Sequence, residues 1–137
     1  DIRAAIHNHG PDIPELYPTA EAVWARIRNR DPRIGFCLDI GHHLRAGGDI
    51  ESAIRTYGSR IYEIHLKNIS SADKQGFAMQ GPRGIIDERR VFQALVDVGF
   101  DGYCLIEYER DYRENAMGLA ETMGYYRGVA EGVSLKK

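Results

Sequence analysis

The strongest constraint on this chain is an alternation repeated four times. Apolar runs of strand length (residues 2–8, IRAAIHN; 34–39, IGFCLD; 61–67, IYEIHLK; 103–107, YCLIE) are each followed by a segment of helical periodicity. Thr19 reads as the N-cap of a helix running to about Arg30, with Val23, Trp24 and Ile27 on one face. Asp49 caps a second, to about Tyr57, with Ile50, Ala53, Ile54 and Tyr57 at helical spacing. Asp87 caps a third, with Val91, Phe92, Leu95 and Val96 facing inward and Gly99 as its stop, and a fourth is expected from about Tyr112 to Ala130. Residues 68–86 read as a long loop, and Gly76, Gly81, Pro82 and Gly84 would let it move as a lid. No hairpin signal separates the strands, so the alternation implies an α/β fold with parallel strands and right-handed crossovers.

The strands share a second pattern. Even positions are mostly apolar (Ile2, Ala4, Ile6; Ile34, Phe36, Leu38; Tyr62, Ile64, Leu66; Cys104, Ile106). Odd positions turn polar toward the C-terminal ends (His7, His9; Asp39; Glu63, His65, Lys67; Glu107, Glu109). Strand side chains alternate between faces, so one face packs on helices and the other gathers histidines and carboxylates where the strands end. A (β/α) barrel builds its sites there, facing the lumen, whereas strands of an open doubly wound sheet are apolar on both faces. Four βα units are half of an eightfold barrel, which needs roughly 250 residues. With 137 residues, opening in a strand without an initiator methionine, the chain reads as a half barrel. It is expected to be a piece of a longer protein or to pair with a second chain, because alone it leaves two sheet edges open.

Composition excludes several classes. With 18 Lys and Arg against 20 Asp and Glu, a net charge of −2 and an isoelectric point near 6.2, the chain offers no basic field for nucleic acid or an anionic membrane. No stretch is long and apolar enough to span a bilayer, and there is no signal-peptide pattern. Cys37 and Cys104 both sit in apolar runs and read as buried free thiols, which suits a cytoplasmic protein.

The chemistry is expected around Asp39, His65 and Glu107, which come from three successive strands and point the same way. A carboxylate at the end of an apolar run is costly to desolvate unless it is paired or bound to a metal. A carboxylate–imidazole set with open positions suits a divalent Lewis acid, with Mn²⁺ favoured over Co²⁺, Mg²⁺ or Zn²⁺. The alternative left open by spacing is a salt-bridge network, with Asp39 held by His42 or Arg45 and Glu107 by Lys67.

The motifs IHNHG, CLDIGHHLRAG, YEIHLKN, GPRGIID and GYCLIEYE, in this order along the whole chain, resemble the C-terminal half of the xylose-isomerase-like TIM barrels. That superfamily includes sugar-phosphate isomerases, ketose 3-epimerases and inosose dehydratases. The resemblance implies a divalent metal held by Glu, Asp, His and Glu at four strand ends. Asp39 matches the Asp of D-x-x-H, His65 the His of H-x-K-D, and Glu107 the last Glu. It places His42, Lys67 and Arg83 toward substrate or the loop above the site, and His9 beside them.

Two departures bear on mechanism. His7 stands where the family's first Glu ligand falls, and Asn68 replaces the usual Asp. A symmetric epimerisation between two metal-bound glutamates is therefore disfavoured. Glu107 or a histidine remains as a base, and His7 is a ligand, a catalytic group or a lumen hydrogen-bonder. The resemblance implies a metal-dependent isomerase or epimerase acting on a sugar, sugar phosphate or cyclitol by proton abstraction beside a polarised carbonyl. A dehydratase working by β-elimination is the close alternative, since inosose dehydratases share the His-x-His stretch. A nuclease on the related abasic-site endonuclease architecture would want clustered Arg and Lys, and a non-catalytic barrel domain is the remaining rival.

Overall fold

The computed structural model describes residues 2–11 and 17–134. In chain order the elements are β1 (Ala4–His7), α1 (Ala20–Ile27), β2 (Ile34–Asp39), α2 (Ile40–Arg45), α3 (Ile50–Tyr57), β3 (Ile61–Leu66), β4 (Asn68–Ile69), β5 (Ala78–Met79), α4 (Glu88–Asp97), β6 (Tyr103–Ile106) and α5 (Ala116–Ser134). β1, β2, β3 and β6 form one sheet in that spatial order, and every pairing is parallel. The register aligns His7 with Cys37, Cys37 with Glu63, Asp39 with His65 and His65 with Leu105. It sets His7 level with Cys37 and Glu63, and Asp39 level with His65 one step nearer the C-terminal strand ends.

The helices begin where the capping side chains put them. Thr19 Oγ1 accepts from Ala22 N at 3.4 Å, Asp49 Oδ1 from Ser52 N at 2.9 Å, and Asp87 Oδ1 from Arg89 N at 3.1 Å. Gly99 ends α4 at φ +67°, a left-handed backbone that glycine adopts without strain. The core lies between the sheet and the helices: Phe36, Leu38, Ile64 and Leu66 pack on Val23 and Ile27, Ala53 and Ile54, and Val91 and Leu95. Trp24 stacks on Phe36 and leans on Tyr57.

The structure differs from the sequence reading in several places. A helix, α2, starts directly at the end of β2, where a loop is expected. Its six residues are too few for a periodic signal, and its cap is Asp39 itself, whose Oδ1 accepts from His42 N at 2.7 Å. A Cβ at Gly41 would stand 2.7 Å from Lys67 O, so glycine is what lets α2 lie against the end of β3. The 68–86 segment is not a bare loop: β4 and β5 pair antiparallel and a 3-10 turn covers Gly81–Arg83. Asn68 organises this segment, donating through Nδ2 to Gly81 O, Ile86 O and Glu88 Oε1 and accepting at Oδ1 from Ile86 N. Glu88 is buried there, with the hydroxyls of Tyr125 and Tyr126 donating to it at 3.3 and 3.4 Å. Burial raises its pKa to about 7. α5 starts at Ala116 rather than near Tyr112, after Asp111 takes a left-handed φ of +50° that interrupts helical geometry.

Cys104 is exposed rather than buried, because β6 is an edge strand with no partner on its outer side among the described residues. The same openness leaves Tyr103 and Leu105 of β6 exposed, and Ile2 beside β1. No helix among the described residues is long and apolar enough to cross a membrane.

Candidate metal centre

The odd-numbered positions of the sheet deliver His7, Cys37, Asp39, Glu63 and His65 to its lumen face, and Glu107 joins them just beyond β6. One ligand atom from each of His7, Asp39, His65 and Glu107 can be chosen so that all lie within 4.8 Å of one another.

The backbone around Asp39 is fixed from β1. Asn8, fully buried, donates through Nδ2 to Asp39 O at 3.1 Å and accepts from Asp39 N at 2.9 Å. Asp39 is fully buried as well, and Oδ1 is committed to capping α2. Its other oxygen, Oδ2, lies 3.6 Å from His7 Nε2 and 3.3 Å from Lys67 Nζ.

Lys67 is buried among acceptors. Its ammonium stands 2.9 Å from Glu107 Oε1, 2.9 Å from Glu109 Oε2 and 3.0 Å from His42 Nε2. An ammonium has three protons, and those three contacts use them. Asp39 Oδ2 therefore receives charge from Lys67 but no hydrogen bond. It and His7 Nε2 are left as buried atoms with no hydrogen-bond partner among the described residues. Burial alone would lower the Lys67 pKa, but Asp39, Glu107 and Glu109 outweigh it and raise the value.

His65 lies between two carboxylates, with Nδ1 2.5 Å from Glu107 Oε2 and Nε2 2.8 Å from Glu63 Oε1. An ionised carboxylate only accepts, so both ring nitrogens carry protons and the ring is an imidazolium. Cys37, Glu107 and Glu63 push its pKa up to about 11. The two carboxylates carry that effect at neutral pH, because burial raises the Cys37 thiol's own pKa and keeps it protonated. Burial alone would raise the Glu107 pKa, but hydrogen bonds from His65 and Lys67 hold it well below the usual carboxylate range.

The histidines beside the cluster have distinct roles. His42 is buried, and its Nδ1 donates to Gly10 O at 2.9 Å, which leaves Nε2 as the acceptor toward Lys67. Burial lowers its pKa and keeps it neutral. The His9 ring lies over His42, with centroids 4.0 Å apart. His43 is structural. Its Nδ1 accepts from Ala20 N at 3.2 Å and its Nε2 reaches Asp49 O at 3.2 Å, so it ties the starts of α1 and α3 together.

The structure thus brings Asp39, His65, Glu107, His7, His9, His42 and Lys67 into one cluster. Arg83 is the exception among the expected site residues. It lies on the surface with its guanidinium 2.9 Å from Glu121 of α5, because the turn at Gly81–Arg83 packs on that helix. Glu109 joins the cluster by pairing with Lys67. Glu63 bonds His65 and Cys37, while the Arg3 guanidinium lies over Tyr62. Asn8 is not legible as a site residue beforehand, although a polar residue at an even position breaks the strand alternation and could have marked it.

The donor set fits a divalent ion. It offers two carboxylates and two imidazoles, two of its atoms are buried without partners, and the positive charge at the carboxylates is supplied by groups that a cation would displace or repel. The His65 ring would exchange one proton for the ion.

Parallel βα units that gather such a cluster at their C-terminal strand ends define a (β/α)-barrel type of fold. Residues 1–129 match the family model of the xylose isomerase-like TIM barrel, and the chain belongs to that family. It is 33% identical over 127 residues to the inosose dehydratase of Clostridium perfringens, covering 80% of this chain and 41% of that enzyme. It is 27% identical over 150 residues to the mannonate dehydratase of Oceanobacillus iheyensis, covering 97% and 43%. Among solved structures, an L-ribulose 3-epimerase superposes with a TM-score of 0.79 at 19% identity, covering 98% of this chain and 49% of that one. The IOLI protein, solved with a zinc atom, superposes with a TM-score of 0.79 at 18% identity, covering 96% and 50%. These superpositions establish the fold. The chain spans about half the length of the relatives it matches.

Proposed function

We propose that residues 1–137 are the C-terminal half of a barrel enzyme that dehydrates a keto-sugar or cyclitol. In this reading four further βα units, in the same polypeptide or a second chain, close the open edges of β1 and β6 and complete the substrate pocket. The observation that carries it is the pair of unpartnered atoms, His7 Nε2 and Asp39 Oδ2, beside a single ionised Glu107 and a Lys67–His42 proton donor.

His7, Asp39, His65 and Glu107 would hold one divalent ion, Mn²⁺ by preference and Co²⁺, Mg²⁺ or Zn²⁺ otherwise, which supplies Lewis-acid polarisation of a substrate carbonyl. Glu107 takes the proton from the carbon next to that carbonyl. Its depressed pKa makes it a weak base, so the reaction needs an acidified C–H bond. The C–H electron pair becomes the new C=C bond, and the hydroxyl on the next carbon departs. Lys67, charged and hydrogen-bonded to His42 Nε2, delivers the proton that turns the departing hydroxide into water. The substrate loses one water and no electrons. His9 lines the approach and contacts substrate hydroxyls, with the buried His42 ring packed behind it. The free thiols of Cys37 and Cys104 suit a cytoplasmic setting.

Dehydration is favoured over epimerisation because the strand-end position that would provide a second carboxylate base carries His7, which belongs with the ligands. The exposed His9 imidazole beside the cluster is the observation that supports the isomerase or epimerase outcome, since it offers a second acid–base group there. The names of the related dehydratases supply substrates to try first.

Proton NMR in D₂O of the Mn²⁺-loaded protein with an inosose, with D-mannonate and with ketohexoses tests the reading. A dehydrated product with one water lost supports it. Deuterium incorporation with inversion and no loss of water moves the assignment to epimerase, and no exchange at any C–H beside a carbonyl refutes both.

A further inference from the structure

The lumen holds a second set of ligand groups, one step deeper than the first. Cys37 precedes Asp39 by two residues on β2, so the two side chains share the lumen face about 6.5 Å apart along the strand. Cys37 is level with His7 on one side and Glu63 on the other. Its thiol is buried and donates to Glu63 Oε1 at 3.4 Å. One ligand atom from each of His7, Cys37 and His65 can be placed within 4.8 Å of the others. His7 Nε2 is a buried nitrogen without a hydrogen-bond partner among the described residues, and the ring centroids of His7 and His65 lie 4.6 Å apart.

We propose that His7, Cys37 and His65 form a thiolate-containing binding position for a thiophilic divalent ion such as Zn²⁺ or Cd²⁺, with Glu63 as its neighbouring carboxylate. The upper set of His7, Asp39, His65 and Glu107 offers oxygen and nitrogen only, which suits Mn²⁺ or Mg²⁺. The lower set adds sulfur, which those ions reject and softer ions prefer. Both sets need His7 and His65, so one position is filled at a time. A thiophilic ion therefore displaces the ion of the upper set by drawing His65 toward Cys37, with which His7 is already level. Binding converts the Cys37 thiol to a metal-bound thiolate and the His65 imidazolium to a neutral ligand, and releases both protons to solvent, with no change of oxidation state. The proposal concerns metal choice and stands whatever reaction the enzyme performs.

The test uses Cd²⁺, whose bond to sulfur absorbs in the ultraviolet, on the protein carrying Cys104→Ser. That substitution removes the exposed thiol on β6 and leaves one thiol to report. The expected result is a thiolate-to-cadmium charge-transfer band that saturates with one Cd²⁺ per chain, and a downfield ¹¹³Cd resonance typical of sulfur ligation. Adding Cys37→Ser abolishes the band and weakens Cd²⁺ binding while Mn²⁺ binding is retained; Asp39→Asn does the reverse, weakening Mn²⁺ and keeping the band. Cd²⁺ that binds without the band, a ¹¹³Cd shift typical of oxygen and nitrogen ligation, or no Cd²⁺ binding overturns the proposal. The absorbance and ¹¹³Cd measurements on the Cys104→Ser protein decide it even if the Cys37 variant fails to fold.

Discussion

Asn8 and Asp39 exchange two hydrogen bonds across neighbouring strands, Asn8 Nδ2 to Asp39 O at 3.1 Å and Asp39 N to Asn8 Oδ1 at 2.9 Å. This pair fixes the backbone at the point where β2 turns into α2, and so aims the Asp39 carboxylate. Asn8→Ala leaves a buried N–H and a buried C=O without those partners. Denaturant unfolding should show a loss of about 2 kcal/mol, and calorimetry should show weaker Mn²⁺ binding. Unchanged stability and unchanged metal affinity would mean that the pair is incidental.

Lys67 places a positive charge on the carboxylates that would hold the metal, 3.3 Å from Asp39 Oδ2 and 2.9 Å from Glu107 Oε1. Two cations compete for those oxygens. Lys67→Met should therefore tighten Mn²⁺ binding, measured by calorimetry, while kcat for dehydration falls by roughly 10²- to 10⁴-fold through loss of the proton donor. Weaker metal binding in this variant would show that Lys67 organises the centre rather than competing with the ion.

Glu63 accepts from His65 Nε2 at 2.8 Å and so sets the orientation of the ring. Removing the charge with Glu63→Gln should weaken metal affinity about 10- to 100-fold, as for other carboxylates that orient a ligating histidine. The far-ultraviolet circular dichroism should stay as it is.

Glu88 gives a pH signature remote from the metal ligands. Its folded pKa of about 7 lies above the ordinary carboxylate value of 4.5, so the native state holds a proton that the unfolded state has lost. Its contribution is fully present below pH 4.5 and is lost as pH rises through 7. The sum is on the order of 3 kcal/mol. Glu88→Gln removes this dependence, so the stability difference between wild type and variant should change across that window. A difference that is flat with pH would show that Glu88 is already ionised in the folded protein.

Much of the architecture was legible because two periodicities agree. Period two in the strands and 3.6 in the helices fix the βα alternation, and Thr19, Asp49 and Asp87 mark the helix starts where the structure has them. The convergence of Asp39, His65 and Glu107 followed from parity along parallel strands. What escaped was set by tertiary context. The helix α2 is too short to show a period, and its cap doubles as a candidate ligand. Arg83 matches a motif whose loop, in this chain, packs on α5, where Glu121 takes the guanidinium. Cys104 looks buried from its apolar neighbours, but β6 is the edge of the sheet among the described residues and leaves it exposed. Asn8 and Glu109 act through Asp39 and Lys67 from other βα units, and Glu63 through His65 on its own strand and Cys37 on β2; a single sequence does not state which partners those are.

The account turns on one claim, that His7, Asp39, His65 and Glu107 hold a divalent ion. Asp39→Asn tests it most directly, because asparagine can still cap α2 and the expected stability change is below about 1 kcal/mol. Mn²⁺ binding should be followed by electron paramagnetic resonance, with unfolding monitored alongside. The prediction is one chelatable Mn²⁺ per chain in the wild type, and affinity at least about 100-fold weaker in a variant that remains folded. A folded variant that binds Mn²⁺ as tightly as the wild type, or a wild type that binds none, would contradict it.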